Sequence, residues 1–306
     1  MASATMDRSE LSSRIIPVMS LSEATSPLTR PDTALDALSS PAHRAAARFR
    51  VSGNAIVTGG AGDLGFAACR ALLDHGLSGL VIFDLDPISG AARVAQLQDE
   101  YAATVPAEMI SFARVNVTDA ADVADNVGRV ADKLGSVDVL LAFAGVASCA
   151  HALELPALEW RRVFDINTTG SFLCAQAVAK VQAERVKKPA SIVLVSSISG
   201  HAVNFPQPQA AYNASKAAVR AMARSLAAEW ARYGVRVNTI SPGYMDTILN
   251  EGDGLKVARD TWCERNPMGR MGVPEELCGA VVLLASRAAG YMTGADIVID
   301  GGQTLF

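Results

Sequence analysis

The sequence predicts one doubly wound α/β domain, a parallel sheet of about seven strands with helices on both faces. Three observations carry that expectation. From Asn54 onward, short Val/Ile/Leu runs alternate strictly with Ala-rich amphipathic stretches, the order of right-handed βαβ crossovers. The apolar runs are near-continuous, which suits strands covered on both faces. The first run leads straight into a glycine-rich turn and then a helix.

In chain order, the strands are expected at Ala55–Thr58, Leu80–Asp84, Ile110–Asn116, Val137–Phe143, Ser191–Ser196, Arg236–Ile240 and Asp296–Asp300. Helices are expected between them at Leu64–His75, Ser89–Tyr101, Ala121–Leu134, Glu159–Ala183, Ala211–Tyr233 and Glu275–Ser286. No repeat and no linker divides this region, so residues 49–306 read as one catalytic domain.

Residues 1–48 differ. They are rich in Ser, Ala and Pro and lack a sustained apolar period, which reads as a mobile extension. Arg8, Arg14, Arg30, Arg44 and Arg48 suggest a mitochondrial transit peptide, but Asp7, Glu10, Glu23, Asp32 and Asp36 oppose it, because such peptides avoid acids. A cytoplasmic location is the expectation. The net charge of −4 without a basic stripe argues against nucleic acid, and no apolar run approaches the ~20 residues of a membrane span. Five scattered cysteines with no CxxC pair fit reduced thiols better than disulfides or zinc. The four His are equally scattered, and no metal is expected.

The turn Thr58-Gly59-Gly60-Ala61-Gly62-Asp63-Leu64-Gly65 lies between strand and helix, where glycines let the backbone approach a pyrophosphate at the helix N-terminus. Asp84 ends the second strand. A carboxylate there accepts from a ribose 2′-OH and repels a 2′-phosphate, favouring NAD while leaving NADP possible. Asp86, two residues on, is the rival acid. Tyr212 and Lys216 are four apart on one helical face, close enough for the ammonium to favour the phenolate and lower the phenol pKa. A phenol tuned in this way serves as a proton donor and acceptor near neutral pH.

Turn, acid and Tyr/Lys pair together resemble the short-chain dehydrogenase/reductase family, whose fold is a Rossmann domain, from about Phe49 to the C-terminus. The turn resembles the family's TGxxxGxG, which implies that Gly59, Gly62, Asp63, Leu64 and Gly65 line the cofactor. Asp63 replaces the usual middle glycine, and a helix-capping role would turn its carboxylate away from the pyrophosphate. Ala142-Phe143-Ala144-Gly145 stands at the place of NNAG, so Ala144 and Gly145 keep the cofactor contact while both Asn amides are lost. Asn116-Val117 stands where Asp-Val contacts adenine. Ser241-Pro242-Gly243-Tyr244-Met245-Asp246-Thr247 resembles PGxxxT, which implies Pro242, Gly243 and Met245 at the carboxamide and Thr247 at the pyrophosphate.

The resemblance also implies the catalytic set. Asn167, in Asp165-Ile166-Asn167-Thr168-Thr169-Gly170, would hold a relay water. The SxxG spacing selects Ser197 over Ser199 to orient the substrate oxygen. Tyr212 would move the proton, and Lys216 would bond the nicotinamide ribose. The last strand, Gly294–Gly302, is commonly part of a dimer face, and a homodimer or homotetramer is expected.

Between Ser197 and Tyr212, two prolines stiffen a segment carrying Asn204, Gln207 and Gln209, amides suited to a polyhydroxylated substrate. SGHxxNxPQPQxxYNASK resembles fungal-type sugar-alcohol members of the family. That implies a polyol or ketose substrate, arabinitol-type first and mannitol- or sorbose-type second, with Asn204 and Gln209 beside Ser197 and Tyr212. Residues 245–266 read as a lid in which Trp262 is a core anchor and Glu251 and Asp253 are solvated. Arg270 reads as half of a structural pair. Two other readings stand beside this one: a ketoreductase of acyl thioesters or secondary-metabolite ketones, and a non-catalytic NAD(P)-sensing regulator.

Overall fold

The computed structural model describes residues 16–31 and 40–306. Seven strands form one wholly parallel sheet: β1 (Asn54–Thr58), β2 (Gly79–Asp84), β3 (Ile110–Arg114), β4 (Val139–Ala142), β5 (Ala190–Val195), β6 (Val235–Pro242) and β7 (Asp296–Ile299). Their order across the sheet is β3-β2-β1-β4-β5-β6-β7. Every expected strand is present, within three residues at each end. The largest differences, two residues each, are β3 stopping before Asn116, β4 starting at Val139 rather than Val137, and β6 running on to Pro242.

The strands are apolar throughout because both faces are covered, and the period of two still sorts their side chains. Val57, Leu80, Ile82, Leu141 and Val193 join one core with Leu72, Leu97 and Leu284. Ile56, Val81, Phe83, Leu140 and Ile192 join the other with Val127, Val178 and Leu226. Truncating any of these to Ala would cost about 2–5 kcal/mol, so the sheet is a rigid platform for what projects from its ends.

The helices follow capping chemistry. α1 (Pro41–Phe49) lies within the segment expected to be a mobile extension and starts where Ser40 Oγ accepts from His43 N at 3.1 Å. Also within that segment, a Cβ built on Gly234 would meet the backbone oxygen of Leu28 at 3.0 Å, so residue 28 lies against the loop entering β6. Arg8, Arg14, Asp7, Glu10, Asp32 and Asp36, which bear on the transit-peptide reading, lie outside the described residues. α2 (Asp63–Asp74) follows the glycine-rich turn, α3 (Pro87–Glu100) is capped by Asp86, and α4 (Ala120–Leu134) is capped by Asp119 and stopped by Gly135 at φ +84°.

The helix expected over Glu159–Ala183 is not continuous. α5 (Ala157–Phe164) and α6 (Ser171–Lys180) are separated by a π-helical turn over Asp165–Gly170, and a second such turn follows over Val181–Val186. α7 (Ala210–Trp230), α8 (Lys256–Glu264) and α9 (Cys278–Ala285) complete the set. Among the described residues, no helix is long and apolar enough to cross a membrane, and no group of His, Cys, Asp or Glu is placed to hold a metal ion. All five cysteines are free thiols.

Candidate active site

The strand order reverses between β1 and β4, and the crevice outside the strand ends at such a switch point is where this architecture binds ligands. Thr58, Asp84, Ala142, Val195 and Pro242 end five adjacent strands there. The chain therefore gathers its expected site residues at one edge, although they are up to 188 positions apart.

The glycines of the first turn are required by contact. Gly59 has φ +66°, and a Cβ on it would lie 2.7 Å from Ala144 N. A Cβ on Gly65 would lie 2.3 Å from Gly59 O, so only glycine lets α2 start this close to β1. Gly62 occupies the N-cap of α2 with no side chain capping the helix. The first-turn N–H groups are thus free to meet an anion, which is what a dinucleotide pyrophosphate needs.

Asp63 corrects the capping expectation. It is the first helical residue, and its carboxylate turns outward to pair with Arg93 Nη2 at 3.3 Å and to accept from Ile248 N at 3.1 Å. Arg93 also donates to Ala61 O at 3.3 Å and lies 4.2 Å over the Phe66 ring. The negative charge near the pyrophosphate position is offset by a guanidinium.

Asp84 Oδ2 accepts from Ala61 N at 3.2 Å and Oδ1 from Leu85 N at 2.8 Å, tying the end of β2 to the glycine-rich turn. The rival, Asp86, is spent on α3, where it accepts from Ile88 N and Ser89 Oγ. Asn116 lies past the end of β3, and its carbonyl accepts from Thr118. Val117 packs against Gly170, whose added Cβ would touch it at 2.8 Å. Beyond β4, the missing Asn amides are replaced by two other ties. Thr58 Oγ1 accepts from Ala144 N at 3.2 Å, and Asn167 grips Val146 through both its carbonyl and its amide.

Asn167 is fully buried in the π-helical turn. It accepts from Val146 N at 2.8 Å and donates to Val146 O at 2.9 Å and Ser215 Oγ at 3.0 Å. A Cβ on Gly145 would sit 3.2 Å from its Oδ1 and 3.5 Å from Lys216 Nζ, which brings Gly145, Asn167 and Lys216 together. Both Asn167 N–H donors are committed to the protein, leaving its carbonyl with one lone pair for a water.

Ser197 projects beyond β5. Its Oγ accepts from Ser199 N at 3.1 Å and lies 3.1 Å from Ser199 Oγ. Ser197 lies near enough to the Tyr212 phenol to favour the phenolate. Lys216 lies one turn further along α7, buried, with Nζ donating to Val195 O at 2.8 Å and standing 5.6 Å from the Tyr212 ring centroid.

The expected electrostatics need correction here. Burial raises the Tyr212 pKa, opposed by Ser197, while Tyr244 and Cys149 raise it further. Burial also lowers Lys216, from its ordinary 10.5 to about 8. The spacing argument weighed charge attraction alone. Within the protein shell, desolvation of both groups is the larger effect, and the ammonium's nearest acceptor is a carbonyl.

The loop before Tyr212 reaches across to β6. Asn204 Nδ2 is 2.8 Å and Gln207 Nε2 3.3 Å from the Tyr244 hydroxyl, and Trp262 Nε1 donates to Gln207 Oε1 at 3.0 Å. Tyr244 stacks flat on Trp262, with centroids 4.2 Å apart and planes at 6°. Trp262 is buried, as expected of an anchor, with its ring packed on Tyr244. Gln209 is buried, pairs with Ala150, and accepts from the Cys149 thiol on Oε1 at 3.5 Å. Tyr244, which holds the Asn204 and Gln207 amides, was not singled out from the sequence; its signal was a hydroxyl within the PGxxxT segment.

A Cβ on Gly243 would meet Asp300 at 2.8 Å, so Pro242-Gly243 is pressed against the end of β7. Met245 is buried and bridges to Gly272, and Thr247 is buried two residues on. Glu251 is exposed, and Arg270 forms a two-pronged pair with Glu276 at 2.7 Å.

The family model described as Enoyl-(Acyl carrier protein) reductase matches residues 59–304. The chain belongs to the short-chain dehydrogenase/reductase family. Members of this family bind a nicotinamide dinucleotide, and the uncapped helix, the glycines and the Asp84 carboxylate suit that group. The chain is 35% identical to a sorbose reductase of Candida albicans, over 82% of this chain and 86% of that one. It is 39% identical to a D-arabinitol 2-dehydrogenase (ribulose-forming) of Candida tropicalis, covering 83% and 93%. It is 37% identical to an NADP-dependent mannitol dehydrogenase of Hypocrea jecorina, covering 81% and 91%. Among solved structures it is similar to a gluconate 5-dehydrogenase of Burkholderia cenocepacia in complex with NADP and tartrate. The TM-score is 0.76 at 30% identity, covering 86% and 99%.

Proposed function

We propose that this protein transfers a hydride reversibly between a nicotinamide dinucleotide and the secondary carbinol carbon of a polyol, or the carbonyl carbon of the matching ketose. The observation that carries the reading is the gathering of Ser197, Tyr212 and Lys216 at the end of β5, where Lys216 Nζ stands 5.6 Å from the Tyr212 ring centroid and donates to Val195 O, two residues before Ser197. Relatives named for sorbose, arabinitol and mannitol support the substrate class. An arabinitol-type substrate is our first choice and a mannitol or sorbose type the second.

The bound nicotinamide supplies the hydride acceptor or donor. Ser197 donates to the substrate oxygen and fixes it against Tyr212. In the oxidative direction Tyr212 takes the hydroxyl proton, and in the reductive direction it returns one. Lys216, protonated below about pH 8, stabilises the charge that develops on the phenol oxygen. Asn167 would keep a relay water beside Lys216 through its remaining lone pair. The Gly59–Gly65 turn, Ala144, Gly145, Asn116, Val117, Pro242, Gly243, Met245 and Thr247 would hold the dinucleotide.

Coenzyme choice divides the observations. The relatives named for NADP weigh towards the phosphorylated form, against the preference expected from sequence. Asp84 weighs the other way, because its carboxylate sits beside the Ala61 amide where an adenosine ribose would lie, and it repels a 2′-phosphate. We propose NAD on that ground. β7 is an edge strand whose Val298 is partly exposed, which supports a homodimer or homotetramer built on that edge.

A panel of arabinitol, mannitol, galactitol, sorbose and ribulose, assayed with each coenzyme at 340 nm, tests the proposal. Oxidation of at least one polyol well above simple secondary alcohols is expected. Turnover confined to acyl thioesters, or no turnover at all, would overturn it.

A further inference from the structure

We propose that Tyr244 is a specificity-determining residue which grips a substrate hydroxyl next to the reacting carbinol. The inference rests on the polyol reading above and goes further, naming the group that recognises the extra hydroxyls.

A phenol has one proton to give and two lone pairs to receive. Tyr244 spends its oxygen on receiving, with Asn204 Nδ2 at 2.8 Å and Gln207 Nε2 at 3.3 Å. The Gln207 orientation is set by Trp262, whose indole can only donate and whose Nε1 donates to Gln207 Oε1 at 3.0 Å. With the acceptor side filled, the hydroxyl proton remains, and no acceptor for it occurs among the described residues. Asn204 Oδ1 is buried and also lacks a partner among them. The two residues thus present one spare donor and one spare acceptor, the complement of an alcohol. Turning the Asn204 amide over would satisfy the Tyr244 proton and strand a buried N–H instead, so the pair is one partner short in either orientation.

Position completes the argument. The Tyr244 ring is clamped flat on Trp262, which leaves its hydroxyl little freedom. Tyr244 is close enough to Tyr212 to act on it electrostatically, and its amide holders lie on the segment joining Ser197 to Tyr212. A simple ketone has no group to meet this phenol. A polyol has one on the neighbouring carbon.

The test is Tyr244→Phe, which removes one oxygen and keeps the ring on Trp262. kcat/KM is measured for D-arabinitol, mannitol and 2-pentanol, together with the coenzyme dissociation constant. Losing one hydrogen bond should lower the polyol values about tenfold through KM and leave 2-pentanol and coenzyme binding unchanged. Asn204→Ala, which keeps the phenol but frees it to turn, should move selectivity the same way by a smaller factor. Equal losses for polyols and 2-pentanol would make Tyr244 merely structural and overturn the inference, as would polyol selectivity that survives the substitution. A wild-type enzyme that uses 2-pentanol as well as arabinitol overturns the polyol reading and this inference together. One that prefers arabinitol while the variant keeps that preference overturns this inference alone.

Discussion

The carboxylate of Asp63 accepts a hydrogen bond from the backbone N–H of Ile248 at 3.1 Å, joining the glycine-rich turn to the segment that follows β6. The two positions are 185 residues apart, so a residue that departs from the family pattern on one loop acts on another. Arg93 holds the same carboxylate from the opposite side at 3.3 Å.

Asp63→Ala should therefore loosen the 245–266 segment more than it destabilises the fold. Amide exchange at Ile248 is expected to accelerate. Partly exposed ion pairs are worth about 0–1 kcal/mol, so the melting temperature should fall by roughly 2 °C or less. Exchange by mass spectrometry over residues 245–266, set beside a thermal melt, checks both. Unchanged protection at Ile248 would mean that this segment is held elsewhere.

Tyr212→Phe removes the proton carrier and leaves the packing. Turnover should drop by about 10²–10⁴-fold or more, while coenzyme binding followed by fluorescence stays near the wild-type value. A variant that retains full activity would assign proton transfer to another group.

Asp84→Ser should erode the proposed preference for NAD. The ratio of kcat/KM for the two coenzymes is the readout, and it should move towards NADP by about tenfold or more for the loss of one charged hydrogen bond. A ratio that does not move would show that a different residue reads the ribose.

Lys216 links pH to both rate and stability. Its folded-state value near 8 lies below its ordinary 10.5, because burial disfavours the ammonium. Carbonyl reduction, which uses the protonated pair, should hold steady at low pH and decline as pH rises through about 8. For stability the sign is opposite. Between about 8 and 10.5 the unfolded chain binds more protons than the folded one, so this group's contribution becomes more favourable as pH rises. Below pH 8 the buried charge costs on the order of 3 kcal/mol at most. Lys216→Met, inactive, should melt higher than wild type at pH 7, with the gap narrowing by pH 10. Equal melting temperatures at pH 7 would contradict the cost.

Much of this molecule was legible in its residues. Val57, Ile82, Leu141 and Val193 lie in unbroken apolar runs whose lengths and flanking turns mark the strands, and local spacing was enough to place Tyr212 beside Lys216. What escaped depends on distance along the chain or on depth. Nothing near Asp63 announces Ile248, and nothing near Tyr244 announces Asn204, because each pairing exists only after the sheet has brought separate loops to one edge. The direction of the Tyr212 pKa was misread for a related reason: spacing reveals charge neighbours, whereas burial belongs to the whole fold. The break at Asp165 was hidden because π-helical and α-helical turns share one composition.

That break has a consequence for how this enzyme tolerates insertions and deletions. A π-helical turn amounts to one surplus residue accommodated within a helix, and here the surplus surrounds Asn167. Excising one position from 165–170 would let the coil relax to its usual pitch, with Cys174 and Val178 keeping their phase against the sheet. The amide would then swing by about 100°, the angle between successive helical residues, and lose its grip on Val146 and Ser215. Such a deletion would yield a well-folded protein with a dislocated relay, separating the scaffold's requirements from those of the chemistry.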